Sequence, residues 1–402
     1  MNSEKNIQKL LQKIEKLSVG DYSTPLSFSK IIYDTSILEN IQSVYQKLSG
    51  DTVTDVILIG IGGSHFGVQA LYDALNPQEY TTPRVRFHAL TSIDSFSFSS
   101  FVIWYTTLLQ DTSKRVMTFV VSKTGATFET ASQASVCFEI LKKTQPNDYQ
   151  KNLCVVTDGD SPLWQACKKD NVNVLAIPRS IGGRYSVFSA AGLTLLRFLK
   201  CDLADLLAGA QSVDITQPLQ TAESLYNLFQ TGYLVHDTFI FMPHYAALGG
   251  WTRQLIGESL GKDNKGFLPT VSIGSQDLHS VLQYYFGGNQ IIVTSFLIPA
   301  EYPGKTPVPD TLFLQAGNLQ ADLFIQEIQH AIIDGVQRSY QLNKKPFFTF
   351  HFRKNSAFDI GHFMQYKMLE TVYLGMLMEI NPFDQPQVEL YKKETRALLM
   401  KT

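Results

Sequence analysis

The sequence predicts an α/β protein built on parallel β-sheets, and three observations point to this class. Continuous apolar runs such as Val56-Ile57-Leu58-Ile59 end in glycines, a pattern typical of buried parallel strands. Helical stretches separate several of these runs, as at residues 64–75 after the first one. The same alternation restarts after residue 231, which indicates a second unit of the same class.

The first unit follows an N-terminal segment, residues 1–17, in which Glu and Lys alternate with Leu and Ile. This alternation predicts an amphipathic helix, and the segment lacks the apolar core of a signal peptide. Further strands are predicted at residues 84–90, 116–122, 152–157 and 173–177, and a second long helix at residues 127–143.

The second unit follows a mostly helical middle at residues 188–231. Its predicted elements are strands at residues 237–242, 290–296 and 347–352, helices at residues 315–341 and 357–380, and a final helix at residues 383–399. Turn and capping residues, Asn381-Pro382-Phe383-Asp384, introduce that last helix. We therefore expect four parts: an N-terminal helical segment (1–45), two α/β domains (46–200 and 201–380) and a C-terminal helix (381–402).

The composition argues against several functional classes. Lys and Arg total 34 against 36 Asp and Glu, a net charge of -2 without a basic stripe, so no nucleic-acid partner is expected. No run approaches the roughly 20 apolar residues that span a bilayer, so no membrane partner is expected. The four cysteines form no C-x-x-C pair, which indicates free thiols in a reducing compartment. These features predict a cytoplasmic protein.

A glycine turn, Gly60-Ile61-Gly62-Gly63-Ser64, joins the first predicted strand to a helix. Glycines let the backbone approach a ligand closely, and a helix N-terminus offers N–H groups to an anion. His65 stands at the third glycine position of the dinucleotide fingerprint, and no acidic residue ends the second strand, so a dinucleotide is not expected. The turn indicates either an anion site or a tight strand–helix crossover.

A second turn, Ser122-Lys123-Thr124-Gly125-Ala126-Thr127-Phe128-Glu129-Thr130, follows another predicted strand. Its four hydroxyls, one lysine and helix N-terminus suit a compact phosphate dianion. The alternative is a hydroxyl-rich coil that only caps the helix. A third segment, residues 257–262, is one residue too short for a P-loop and continues into Asp263, so ATP chemistry is not expected.

Three residues have the chemistry to move a proton between two sugar carbons. Aldose–ketose isomerisation needs a base, a ring-opening group and a cation for the enediolate charge. Glu258 lies at the end of a helix beside two glycines, Arg184 lies in a glycine turn, and His279 follows Asp277. Each has an ordinary alternative: a solvated glutamate, a salt-bridged arginine or a capping histidine. The eight histidines form no H-E-x-x-H motif or close pair, so no metal site is predicted.

Six stretches of the sequence, taken together and in this order, indicate a family: residues 60–64, 122–130, 182–193, 254–262, 277–280 and 381–392. In this order they resemble the glucose-6-phosphate isomerase (phosphoglucose isomerase) family, and they span most of the chain. Departures from the widespread pattern occur at Gly125, Ala126, Leu278, Pro386-Gln387 and Tyr391. Several of these departures have a bacterial character, and they affect fine specificity more than the reaction.

The resemblance implies two sugar-isomerase (SIS) domains of the flavodoxin-like, doubly wound type, in a homodimer with a shared active site. It implies reversible conversion of glucose 6-phosphate to fructose 6-phosphate through a cis-enediol(ate), in glycolysis and gluconeogenesis. Neither a redox cofactor nor a metal is implied for this chemistry.

The resemblance also implies roles for individual residues. Glu258 matches the base, Arg184 matches the group that stabilises the enediolate, and His279 and Lys392 match the ring-opening residues. In the family that histidine reaches in from the neighbouring subunit. The implied substrate contacts are Ser122, Lys123, Thr124 and Thr127 for the phosphate, Gly63 and Ser64 for the sugar, and Gln254 and Gln385 for further contacts.

Two alternatives accompany this interpretation. A bifunctional phosphoglucose/phosphomannose isomerase would use the same proton chemistry with looser stereochemistry at C2. A non-catalytic sugar-phosphate sensor would keep residues 122–127 but would not need Glu258, Arg184, His279 and Lys392. All four are present, which disfavours the sensor.

Overall fold

The computed structural model of the chain describes residues 2–77, 83–301, 304–317 and 323–400. The first of its two sheets is parallel and has the strand order β2-β1-β3-β4-β5. Its strands are β1 (Asp55–Ile59), β2 (Arg86–Leu90), β3 (Val116–Val121), β4 (Leu153–Asp158) and β5 (Asn173–Ile177). This order is that of flavodoxin-like folds, as predicted.

The second sheet is also parallel, with the order β7-β6-β8-β9. Its strands are β6 (Val235–Ile240), β7 (Leu268–Ile273), β8 (Ile292–Pro299) and β9 (Phe347–Phe352). In both sheets the first strand of the unit lies inside, and the chain winds outward from it in both directions. The predicted doubly wound α/β class is therefore confirmed.

Helices connect the strands and cover the faces of the sheets. Those of the first half are α1 (Asn2–Lys16), α2 (Thr35–Lys47), α3 (Phe66–Leu75), α4 (Ser95–Gln110), α5 (Phe128–Thr144), α6 (Pro162–Lys169), α7 (Ala190–Phe198), α8 (Leu203–Gln211) and α9 (Gln217–Gln230). Those of the second half are α10 (Ala246–Leu260), α11 (Leu282–Gly287), α12 (Leu312–Ala316), α13 (Ile325–Leu342), α14 (Ala357–Leu377) and α15 (Pro386–Leu399). No helix in these described ranges is long and apolar enough to cross a membrane.

Local signals explain where many elements begin. The carboxylate of Asp94 and the hydroxyls of Ser161 and Ser356 cap α4, α6 and α14 by accepting backbone N–H bonds. Strands β1 and β3 are buried along their whole length, because helices cover both faces of the sheet. The four cysteines are free thiols, as expected.

The predicted elements differ from the observed ones chiefly at β7, at α12 and α13, and at the start of α15. Strand β7 is not among the predicted strands, because this edge strand contains Pro269 and is only partly buried, so its apolar pattern is weak. The helix predicted at residues 315–341 is interrupted, because Phe324 pairs with Pro307 in an extended conformation; residues 318–322 lie outside the described part. The final helix begins at Pro386 rather than residue 383, since the preceding residues form a turn.

One buried apolar cluster extends from the first sheet to the second. Helix α14 packs against α8, α9 and α10, and most of its side chains are buried. Helix α10 in turn packs against α3 of the first unit. This packing brings the end of α10 against the carboxyl edge of the first sheet.

Candidate active site

The central strands β1 and β3 end side by side at the carboxyl edge of the first sheet. The chain leaves β1 toward β2 and leaves β3 toward β4, so the strand order reverses between them. In open parallel sheets this reversal leaves a crevice in which ligands bind. The turn at Gly60 touches the end of β3, since a Cβ added at Gly60 would lie 2.9 Å from the carbonyl oxygen of Val121. Both turns predicted from the sequence thus meet at this crevice.

The first turn packs backbone against backbone. A Cβ added at Gly63 would lie 2.1 Å from the carbonyl carbon of Gly183, so no larger residue fits without a shift of the main chain. Gly62 has φ +63°, a left-handed conformation that favours glycine, and an added Cβ there would lie 2.9 Å from Nε2 of Gln254. The glycines therefore allow the turn that contains Ser64 to approach both Arg184 and Gln254 closely.

The second turn, residues 122–127, is organised by its own hydroxyls. Ser122 Oγ accepts a hydrogen bond from Gly125 N at 3.2 Å, and Thr124 Oγ1 accepts one from Ala126 N at 3.3 Å. Thr127 is the N-cap of α5, but its side chain makes no capping hydrogen bond. The simpler alternative, a coil that only caps the helix, therefore does not account for Thr127, whereas an anion at the N-terminus of α5 would use it.

Lys123 points from this loop toward the neighbouring turn. Its Nζ donates a hydrogen bond to the carbonyl oxygen of Ile181 at 3.0 Å. Burial lowers the pKa of Lys123. The lysine thus ties the loop after β3 to the segment that leads into Arg184.

Arg184 is the buried cation of the site, with a side chain only 3% exposed. Its Nε donates to Ser259 Oγ at 2.7 Å, and its Nη1 donates to Gln385 Oε1 at 3.0 Å. Its Nη2 donates to the carbonyl oxygens of Pro382 at 2.7 Å and Asp384 at 3.1 Å. One guanidinium therefore joins the end of α10 to the turn before α15.

Glu258 lies against this cation at the end of α10. Its Oε1 lies 3.4 Å from Arg184 Nη1, and its Oε2 accepts a hydrogen bond from Gln254 Nε2 at 3.0 Å. Gln254 and Glu258 are four residues apart, so they share one face of the helix. The Oε1 atom of Gln254 is buried and has no hydrogen-bond partner among the described residues. A ligand hydroxyl could satisfy it.

The C-terminal helix contributes Gln385 at its start and Lys392 farther along. Lys392 Nζ pairs with Glu389 Oε1 at 2.7 Å, and its side chain is 42% exposed. One turn beyond, the guanidinium of Arg396 lies 5.4 Å from the ring centre of Phe128, the first residue of α5. Helix α15 therefore runs past the N-terminus of α5, with Lys392 between Gln385 and that contact.

His279 is not brought to the other residues within this chain. It is exposed and follows the carboxyl end of β7, whereas Gly257, next to Glu258, lies beside Pro269 at the amino end of that strand. About 13 Å of strand lies between Pro269 and Ile273, where β7 ends before the segment that carries His279. Among the described residues, no group of three or more His, Cys, Asp or Glu side chains could hold a metal ion.

Several residues that support Arg184 are not among those predicted from the sequence. Ser259 accepts from its Nε, Tyr185 OH lies 3.0 Å from Ser259 Oγ, and Lys262 pairs with Asp384 at 2.7 Å. Ser259 and Lys262 lie in the same stretch of sequence as Glu258, and this nearness is the signal that could have identified them. The partners of this stretch are more than 70 residues away in sequence, so spacing could not reveal them.

A sequence model described as phosphoglucose isomerase matches residues 32–401. The chain belongs to the phosphoglucose isomerase family. This confirms the resemblance drawn from the six stretches. The match covers nearly the whole chain, including both sheets and α15.

Curated relatives agree in length as well as in sequence. The glucose-6-phosphate isomerase of one Thermus thermophilus strain is 29% identical over 408 residues, covering 94% of this chain and 92% of that protein. The glucose-6-phosphate isomerase of Lactobacillus delbrueckii subsp. bulgaricus is 29% identical, covering 92% of this chain and 85% of its own length.

Solved structures confirm the fold. A hypothetical protein from Thermus thermophilus superposes with a TM-score of 0.86 at 28% identity, covering 99% of this chain and 94% of that one. A glucose-6-phosphate isomerase from Chlamydia trachomatis superposes with a TM-score of 0.73 at 20% identity, covering 90% of this chain and 73% of that one. At 20% identity, the similarity to the Chlamydia structure supports the fold alone.

Proposed function

We propose that this enzyme interconverts glucose 6-phosphate and fructose 6-phosphate by proton transfer through a cis-enediol(ate). The observation that carries the proposal is the pairing of Glu258 with the buried Arg184, 3.4 Å apart, beside the crevice of the first sheet. A carboxylate base and a fixed cation at one site are what the formation and stabilisation of an enediolate require. Membership of the phosphoglucose isomerase family supports this reaction.

In the proposed mechanism Glu258 removes the proton from C2 of the open-chain sugar. The C2–H electrons form the C1–C2 double bond, and the carbonyl electrons move to O1, so that Arg184 faces a developing negative charge. Glu258 then returns the proton to C1 while the hydroxyl proton passes from O2 to O1. The carbonyl has moved from C1 to C2, and no atom is gained or lost.

The remaining residues are proposed to bind the substrate and open its ring. Ser122, Lys123, Thr124 and Thr127, with the N-terminus of α5, bind the phosphate; Lys123 also ties their loop to Ile181. Gly63, Ser64, Gln254 and Gln385 contact the sugar; the unpartnered Oε1 of Gln254 supports this. His279 and Lys392 carry protons to the ring oxygen and from the anomeric hydroxyl.

We propose a homodimer with a shared active site. Within one chain His279 lies at the far end of β7 from Glu258, so a ring-opening role requires it to act in another chain's site. Its exposure and its position at a sheet edge support this arrangement. A symmetric dimer would then hold two equivalent sites, each with a histidine from the partner.

The proposed domains are two sugar-isomerase domains, residues 46–200 and 201–380, between the N-terminal segment and α15. The packing of α8 against α14 supports placing α8 in the second domain. A role in glycolysis and gluconeogenesis supports a cytoplasmic location.

Isomerase activity on glucose 6-phosphate in D2O tests the proposal. We expect fructose 6-phosphate to form and solvent deuterium to enter at C1, because the proton on Glu258 exchanges with water during some turnovers. Product formation without any deuterium under repeated turnover would contradict proton transfer by an exchangeable base. The absence of isomerisation by the purified protein would contradict the function itself.

A further inference from the structure

Two buried cations hold the turn between α14 and α15, residues 381–385. Arg184 Nη2 donates to the carbonyl oxygens of Pro382 and Asp384 at 2.7 and 3.1 Å. Lys262 Nζ donates to the carbonyl oxygen of Asn381 and to Asp384 Oδ1, the latter at 2.7 Å. The Lys262 side chain is only 6% exposed, so this turn is fixed from the protein interior.

The same turn orients the guanidinium of Arg184 by accepting its hydrogen bonds. A guanidinium has five N–H donors in a rigid planar fork. Three of the acceptors of Arg184 lie on residues 382–385; its other contacts in the described part include Ser259, Glu258 and the ring of Tyr185. Because the fork is rigid, a displaced turn would rotate Nη1 away from Glu258.

Lys262 follows Glu258 by four residues, just beyond the end of α10. One helix end therefore supplies the proposed base, the Ser259 acceptor of Arg184, and the cation that holds the turn. The turn leads directly into α15, which begins at Pro386 after the N-cap Gln385 and carries Lys392. The position of Lys262 is thus coupled to both Arg184 and α15.

We propose that Lys262 and Asp384 are a positioning pair for the isomerisation. They hold residues 381–385 so that Arg184 faces Glu258 and α15 presents Gln385 and Lys392 to the sugar. The inference rests on the proposed function. Neither residue needs to touch the substrate, since each acts through Arg184 and through the start of α15.

The test is Lys262→Met, which keeps the length of the side chain and removes its charge. We expect kcat to fall about 100-fold, the loss that a misplacement of about 1 Å produces. Binding of inorganic phosphate should stay unchanged, because the hydrogen bonds of the loop after β3 run within the loop and to Ile181 rather than to the turn. Asp384→Asn should lower kcat about 10-fold, since one charge-assisted hydrogen bond is weakened.

Lys265→Met is the matched control. Lys265 lies three residues beyond Lys262, and its Nζ donates to the carbonyl oxygen of Met378 at 2.8 Å, outside the turn. We expect near wild-type kcat in this variant. Amide hydrogen exchange at residues 383–385 should be faster than in the wild type in Lys262→Met and equal to the wild type in Lys265→Met. The double variant Lys262→Met/Asp384→Asn should lose no more than Lys262→Met, because the two residues form one unit.

The inference is overturned if wild-type enzyme isomerises the sugar and Lys262→Met retains its kcat. Equal losses in Lys262→Met and Lys265→Met would also overturn it, because they would indicate a general effect on the loop. If Lys262→Met does not fold, Asp384→Asn decides, since the Asp384 side chain is 53% exposed and tolerates change. Inactive wild-type protein would instead refute the proposed function, and this inference with it.

Discussion

The two sheets follow the same winding plan, yet their carboxyl edges carry different residues. At the first sheet the turns after β1 and β3 consist of glycines and hydroxyl residues and lie near the buried Arg184. At the second sheet β6 leads into Met242-Pro243-His244-Tyr245, and the exposed His279 follows β7. The shared topology supplies a crevice in each sheet, and the side chains at the edge decide its chemistry.

The central strands differ in a second way, because each carries a buried aspartate in a different electrostatic setting. Burial raises the pKa of Asp55 on β1, but hydrogen bonds with His88 and Arg86 of β2 outweigh it and lower the pKa to about 2. Burial raises the pKa of Asp237 on β6, and its donors, such as the Ser272 hydroxyl, are neutral. One central strand thus holds a stabilised carboxylate and the other a destabilised one.

The largest expected effect concerns Glu258, whose carboxylate α10 of the second unit places at the edge of the first sheet. Glu258→Gln keeps the hydrogen-bonding shape but removes the base, so kcat should fall about 1,000-fold or more with little change in ligand binding. Steady-state kinetics with glucose 6-phosphate measure this. Glu139→Gln, an exposed position on α5, is the control, and near-normal turnover of Glu258→Gln would contradict the assignment.

The next prediction concerns whether His279, at the carboxyl edge of the second sheet, acts in the active site of another chain. Inactive His279→Ala and inactive Glu258→Gln protomers, mixed one to one and allowed to exchange, should recover about a quarter of wild-type activity. Half of the random dimers are mixed, and each mixed dimer has one intact site. Mixtures that demonstrably exchange subunits but stay inactive would indicate that His279 serves its own chain.

A smaller effect is expected from substitutions that test which carboxyl edge, that of the first or of the second sheet, binds the phosphate. Thr127→Val should raise KM for glucose 6-phosphate about 10-fold with a smaller change in kcat, because one hydrogen bond to the phosphate is lost. Ser132→Ala, farther along α5, removes a hydroxyl that bonds within the helix and should leave KM unchanged. Lys354→Ala at the edge of the second sheet should also leave it unchanged; an equal rise there would mean that both edges bind the phosphate.

The smallest effect concerns stability. Asp55→Asn should lower the free energy of unfolding at pH 7 by about 2 kcal/mol, because the folded pKa lies below the unfolded one. The contribution of Asp55 is present above about pH 4 and is lost as the pH falls through about 2.

Asp237→Asn should have the opposite sign at pH 7. A raised folded pKa stabilises the protein only below the unfolded pKa, and that gain is lost as the pH rises through the folded value. The neutral amide should therefore increase stability at pH 7. Urea unfolding of both variants from pH 7 to pH 3 checks the pair, and changes of the same sign at pH 7 would contradict the contrast.

Strands that are buried on both faces were the most predictable elements. Strands β1, β3 and β4 appear within a residue of their expected positions, because continuous apolar runs require coverage on both sides. The edge strand β7 was missed, since one side of it has no neighbouring strand and its residues are mixed. The turns of the candidate site were predicted correctly, but the contacts between them were not foreseeable.

The sequence by itself determined the α/β class and the turns after β1 and β3. These follow from local patterns, because burial periodicity and turn residues act over a few positions. The roles proposed for individual site residues rest instead on the resemblance to the family. Only the tertiary structure decided that Arg184 lies 3.4 Å from Glu258, that Lys262 holds the turn before α15, and that His279 lies away from both. Contacts between residues about 70 to 200 positions apart depend on how two sheets pack together, and no local pattern encodes that packing.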